Sequence, residues 1–299
     1  MSFYTGTAAS ISALRSALLT HAQADGWVLS VDVLSKNGVF FQITETASDV
    51  RVLGCLDNAV ASPAPGPVKI GNFYTGKNIS FPCTYYVFGF AQELYFVVNY
   101  DSDTYQWLAF GKSTVPGLLG TGAWCAANAA STTVANIAGP VRIESDGEVY
   151  VWGYTLEAGC PAMFWDTSGY AATFRNAWVH HGLDGRGWMW GSSVSSNPLG
   201  HRSQLPLVNL NPSTWNSEAV MLPIQAWLER PVYKSSLICD LQNARNIRID
   251  NVEPRDILTL GTDKWMIFPW YKKSTVGRNG GSSIDHSGTY GWVIRYEGP

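Results

Sequence analysis

The sequence predicts an α+β chain that is mostly β: an N-terminal helix plus antiparallel meander, followed by a larger β-rich, loop-rich domain. Three observations lead to this class. Only the stretch from Ala8 to Ala24 repeats apolar residues at helical spacing. Short runs of β-branched and aromatic residues then succeed one another, separated by turn-prone residues. Finally, Asn58 to Lys69 reads NAVASPAPGPVK, and its three prolines and one glycine cannot sustain a regular ladder of hydrogen bonds. These features divide the chain into an α+β unit over 1–57, a proline-rich linker over 58–69, and a β-rich domain over 70–299 with long Trp- and Gly-rich loops.

In the helix, Ile11, Leu14, Leu18 and Ala22 share one face. Thr7 is placed to cap its first turn, and Gly26 tolerates the left-handed backbone that ends a helix. Strands follow over Trp27–Leu34, Val39–Thr44 and Val50–Leu56. Asn37-Gly38 forms a tight hairpin turn, since both residues accept positive φ. Past the linker, strands are expected over Thr84–Phe90, Leu94–Tyr100, Tyr105–Phe110, Val141–Glu144 and Glu148–Tyr154. Ile257–Ile267 and Gly291–Tyr296 close the chain. Ala126 to Ala130 reads as a short helix, Asp166 to Asn216 as long packed loops, and Ala219 to Val232 as a short element interrupted by Pro223 and Pro231.

Hydrophobic residues make up 46% of the chain and charged residues only 14%, against roughly 25% in a typical domain. Two readings fit: a globule with a neutral polar skin, or a surface largely covered by partner subunits, whose interface cores are poor in charge and rich in aromatics. The net charge is −3 and the longest basic run is Lys272-Lys273, so the basic stripe that nucleic-acid binding needs is missing. The first twenty residues lack the basic-then-apolar pattern of a signal peptide, and no apolar stretch reaches the roughly 18 residues of a membrane span. The expectation is a chain made in the cytoplasm, with no nucleic-acid partner and no membrane insertion.

The motifs that carry chemistry are weak. Cys55, Cys83, Cys125, Cys160 and Cys239 are dispersed with no CxxC pair, which suits reduced thiols acting as small apolar residues. His21, His180, His181, His201 and His286 include no HExxH, and adjacent His180-His181 point to opposite sides of any element, so no metal is expected. Gly111-Lys112-Ser113 resembles the end of a phosphate loop, but position 106 is Gln and Pro116-Gly117 stops the helix such a loop requires. Asp285-His286-Ser287 reads as a polar turn, because catalytic triads are assembled from separated elements. Asp101 and Asp103 lie in a hairpin turn and Asp184 in a Gly-rich loop, and nothing locates a pair of carboxylates facing a sugar. No catalytic residue and no cofactor is assigned, and the chain is read as not an enzyme. Trp178, Trp188 and Trp190 in NAWVHHGLDGRGWMW are the candidate contacts for a ligand or partner, as a stacking platform or protein anchor. The preferred reading of the same rings is that they bury loops that lack secondary structure.

Three stretches together carry a resemblance. They are the helix running into Ala24-Asp25-Gly26-Trp27-Val28-Leu29, TYYVFGFAQELYFVVNYDSDTYQWLAFGKS from Thr84 to Ser113, and NIRIDNVEPRDILTLGTDKWMIFPWYKK followed by HSGTYGWVIRYEG. This combination resembles structural proteins of tailed bacteriophage virions, over about half of the chain. The resemblance implies a non-enzymatic virion protein, associated with the tail tip or baseplate. It would assemble as a homo-oligomer with other virion proteins as partners. It transfers no functional residue and leaves Gly117 to Pro231 uncovered. The alternative is a module that binds a host-surface glycan or receptor through the Trp-rich loops, in host attachment.

Overall fold

The computed structural model describes residues 1–71, 79–102, 104–127, 129–130, 141–143, 149–151, 164, 177–190, 220–230, 234–249, 252–270, 273 and 290–298. Strand β1 (Ser2–Ala8) leads into helix α1 (Ile11–Ala24), which is followed by β2 (Val28–Ser30), β3 (Val33–Lys36), β4 (Val39–Glu45), β5 (Asp49–Cys55) and β6 (Val68–Gly71). Next come β7 (Cys83–Gly89), β8 (Glu93–Asp101), β9 (Thr104–Lys112), β10 (Ala123–Ala127), β11 (Ala129–Ala130), β12 (Val141–Ile143) and β13 (Val149–Val151). The rest are β14 (Ala177–His181), β15 (Gly187–Trp190), β16 (Leu222–Arg230), β17 (Lys234–Arg248), β18 (Ile257–Leu260), β19 (Asp263–Pro269) and β20 (Tyr290–Tyr296). The α+β, mostly-β class is therefore what the chain adopts.

Three antiparallel sheets stack in layers, and β12 and β13 pair separately. The central sheet runs β1-β7-β8-β9-β10-β14-β15. Its inner strands β8, β9 and β10 are buried on both faces along nearly their whole length, as expected of a layer covered twice. Leu94, Phe96 and Val98 of β8, with Leu108 and Phe110 of β9, pack toward α1 and the sheet β11-β6-β5-β4-β3-β2. Tyr95 and Val97, with Tyr105, Trp107 and Ala109, pack toward the C-terminal sheet β16-β17-β20-β19-β18. The strand period of two splits each hydrophobic run between two cores.

The helix buries the four expected residues, Ile11, Leu14, Leu18 and Ala22, together with Leu19. Its cap is Ser10 rather than Thr7: the Ser10 hydroxyl accepts from the Ala13 amide at 3.1 Å. Thr7 and Ala8 instead belong to β1, where they pair with Thr84 and Cys83. At the other end Gly26, at φ 83°, closes the helix. The Trp27 amide donates to Ala22 and the Gly26 amide to Gln23, both at 3.0 Å, the paired bonds of a Schellman closure.

Trp27–Leu34, expected as one strand, is split into β2 and β3 by a turn with Val31 at φ 56°. Helix residue Arg15 secures this turn by pairing with Asp32 and donating to the Ile43 carbonyl at 3.0 Å. Asn37 and Gly38 both take positive φ, at 53° and 78°, in the β3–β4 hairpin. Ile257–Ile267 is likewise a hairpin, β18–β19, turning at Gly261 with φ 61°. The helix expected over Ala126–Ala130 is absent. Ala126 and Ala127 pair in β10 between β9 and β14, and Ala129–Ala130 pair with β6. Of the region read as packed loops, 177–190 is the hairpin β14–β15. The rest of that region lies outside the described residues.

The proline-rich stretch does not separate two cores. β1 pairs with β7 across it, β6 completes the sheet of β5, and Ala64 is itself buried in the shared core. A linker between independent units would leave each with its own core; here residues from both sides make one. No helix among the described residues is long and apolar enough to cross a membrane.

Candidate functional site

The Trp-rich segment folds into the last hairpin of the central sheet, and strand alternation decides which way its side chains go. Trp178, His180 and Trp188 fall on the face toward the helix-side sheet, with Val179 and Met189 on the other. Trp178 is 1% exposed, packed inside the core and out of reach of any ligand. Trp188 is half-buried, with its indole Nε1 donating to the Ser62 carbonyl at 3.0 Å. Its ring lies on Gly54, where a Cβ would stand 2.2 Å from it, so only glycine admits the indole there. Trp190 is paired with Trp178 in β15, and its side chain lies outside the described residues. The three candidate tryptophans therefore do not form one exposed platform.

Around Trp188 the chain is unusual. Val60 and Ser62 adopt φ values of 59° and 42°, a conformation costly for a β-branched residue such as valine. The Asp57 carboxylate holds this loop by accepting from the Ala59 and Ala61 amides at 2.8 and 2.9 Å. His180 lies edge-on to Trp188, with ring centroids 5.1 Å apart. Its Nδ1 accepts from the Thr121 amide at 3.2 Å, which places the proton of the neutral ring on Nε2. Burial lowers the pKa of His180. Burial, with the charges of His180 and Arg186 adding to it, takes His181 down to about 4. His181 is fully enclosed, and among the described residues His180 Nδ1 meets Thr121 rather than a carboxylate that would orient it as a general base.

The other ionisable groups sit in structural joints that the sequence did not reveal. Glu93 is buried between the central and C-terminal sheets, accepting from Tyr95 Oη, the Gln242 amide and Asn243 Nδ2 at 2.8 Å each, and from the Asn243 amide at 3.1 Å. Burial raises its pKa against the pull of those donors. A lone carboxylate at the head of an otherwise apolar strand was the available signal. Asp49 accepts from Arg51 at 2.6 and 3.1 Å and from Thr46 at 2.8 Å, with Lys69 at 3.5 Å. Burial pushes its carboxyl up, but these partners outweigh burial and hold it below the usual range. At the end of α1, His21 stacks on Tyr4 at 4.4 Å and meets Tyr85 Oη at 3.4 Å, while Ser2 donates to Asp25.

Cys55, Cys83, Cys125 and Cys239 are buried free thiols. Burial raises Cys83 to about 11 and Cys125 to about 12, leaving them protonated at neutral pH. Lys112 donates to the Asn37 carbonyl and Ser113 to the Ile238 carbonyl, so the Gly111-Lys112-Ser113 segment is a strand end tied to its neighbours. Asp184, at φ 55°, stands in a 3-10 turn between β14 and β15. No three His, Cys, Asp or Glu residues converge as a metal site among the described residues. Cys160, His201, His286, Asp103 and the Asp285-His286-Ser287 turn lie outside those residues. The sequence matches no protein-family model and no curated protein.

Proposed function

We propose that this chain is a non-enzymatic structural subunit of a tailed-phage virion, associated with the tail tip or baseplate and present in repeated copies. The observation that carries the reading is the state of two sheet edges. β2 ends the helix-side sheet and β18 ends the C-terminal sheet, and neither Val28-Leu29-Ser30 nor Ile257-Leu258-Thr259-Leu260 holds a charge. Val28 is 64% exposed, Val31 at the turn 90%, Ile257 43% and Leu260 49%. Edge strands of lone soluble proteins are guarded by shortness, lysine, proline or bulges, since unpaired amides and carbonyls recruit further strands; these two are short but hold no lysine or proline and expose apolar side chains. Apolar edges on both outer layers fit a subunit whose neighbours cover them. The Val31 turn is tied to α1 through Arg15, a step toward the preorganisation that favours an anchor residue at an interface.

Quantitative mass spectrometry of intact particles tests the proposal. The protein is expected at a copy number matching a ring or trimer. Its absence, or a well-ordered particle made without it, overturns the reading.

Host-surface glycan binding is the second reading, and the strained loop beside Trp188 and His180 favours it. It rests on those two half-buried rings, because Trp178 is enclosed. Glycan-array binding that is lost in Trp188→Ala, with the fold intact, would establish it.

A further inference from the structure

Across the inner face of the C-terminal sheet, Leu222, Asn246, Trp292 and Phe268 stand side by side on β16, β17, β20 and β19. Three of these belong in the layer they face: Trp292 and Phe268 are core residues, and Leu222 packs against them. Asn246 does not. It is 1% exposed, and neither its Nδ2 nor its Oδ1 has a hydrogen-bond partner among the described residues. Trp292, its cross-strand neighbour, is also buried, and its Nε1 is without a partner. Around that indole are Trp107 at 5.6 Å, Tyr95 at 5.8 Å and Phe268 at 6.4 Å between ring centroids.

An unpaired indole N–H is a single donor. A carboxamide is different, with two donor hydrogens and an acceptor oxygen, and burying one unpaired forfeits its hydration with nothing in return. In folded proteins roughly 90% or more of buried polar groups find a hydrogen-bond partner, in the protein or in ordered water. Nothing local excuses Asn246: apolar residues occupy the matching positions on either side of it in the row.

We propose that Asn246 and Trp292, buried between the layers, form a binding site for a small neutral guest. That guest accepts from Asn246 Nδ2 and Trp292 Nε1 and donates to Asn246 Oδ1. The chemistry is that of a hydroxyl or carboxamide, supplied by ordered water or by a small organic molecule with an apolar body that suits the aromatic walls. The guest is neutral because Arg248, the cation two residues along the same face of β17, is buried and already has a partner.

Two measurements on the full chain test the site. Asn246→Leu keeps the volume and removes every hydrogen bond. With a guest held there, the melting temperature falls by several degrees. A rise in Asn246→Leu overturns the proposal, because relieving an orphaned carboxamide stabilises. A high-resolution crystal structure of the unaltered protein decides independently of whether the variants fold. Density within hydrogen-bond distance of both Asn246 atoms supports the site. Native mass spectrometry then distinguishes water from a retained organic molecule by the added mass. A side chain of the protein itself bonded to Asn246, or no density at all, overturns the site.

Discussion

The Glu93 carboxylate enters the layer between two sheets and meets four donors, three of them from the bend at Gln242 and Asn243. Burial is the larger influence and sets its folded pKa above the unfolded value of about 4.3. The folded protein thus holds that proton more tightly, and the associated stability is full in acid and is lost as pH rises through the folded pKa. His181 has the opposite sign. Its folded value of about 4 lies below the unfolded value of about 6.5, so its contribution is present above the latter and is lost as pH falls through the former. Urea unfolding from pH 4 to 8 should separate the two. Glu93→Gln removes the loss that accompanies rising pH, while His181→Leu removes the loss that accompanies acid. If neither variant changes the shape of the curve, both groups titrate alike folded and unfolded. At this scale the sequence was partly legible. Asn37-Gly38 announced its turn because positive φ is written in those residue types. Thr7 and Ser10 are equally good caps by chemistry alone, and only the pairing of β1 with β7 removes Thr7 from contention.

Helix α1 lies against both β1 and β7 of the central sheet and β4 and β5 of the helix-side sheet, closing the space between the two layers. Leu18 is fully enclosed there, and Leu18→Ala should cost about 2–5 kcal/mol, read from denaturant midpoints. Removing the Ser10 hydroxyl should cost about 1 kcal/mol and leave the fold intact. The hairpin β14–β15 is fastened differently, by the Trp188 ring on Gly54 and the Trp188 bond to Ser62. Gly54→Ala should therefore destabilise by displacing the indole, and Trp188→Ala in the same chain should recover part of that loss. An additive double mutant would show that the two residues do not touch. These elements account for most of what the sequence left unread. β17 shows no clean alternation because its pairing with β16 shifts register between Pro223 and Gln225 and again between Ala226 and Trp227. β10 looked helical because alanine favours helices in isolation, yet a strand enclosed between β9 and β14 has room for little else.

One chain segment decides whether the molecule is one unit or two. Composition placed a boundary at 58–69, and prolines do stop the ladder there, but local composition is blind to pairings between distant residues. Ser2–Ala8 runs the full length of Cys83–Gly89, and the helix-side core takes residues from before and after the prolines. Separating the two sides would strip β7 of its neighbour and open the core around Leu18, Phe41, Phe96 and Phe110, at about 25 cal/mol for every Å² of apolar surface exposed. The loop itself is exposed from Ala61 to Pro63 and again at Pro65, so a protease has access. Cleavage between Ser62 and Pro67 should accordingly leave a nicked protein that elutes at the size of the intact chain and resolves into two fragments only in denaturant. The nicked form should also melt as a single transition, at a lower temperature, because both fragments share one core. Two fragments that separate in native buffer and each melt cooperatively would restore the boundary that the prolines suggest.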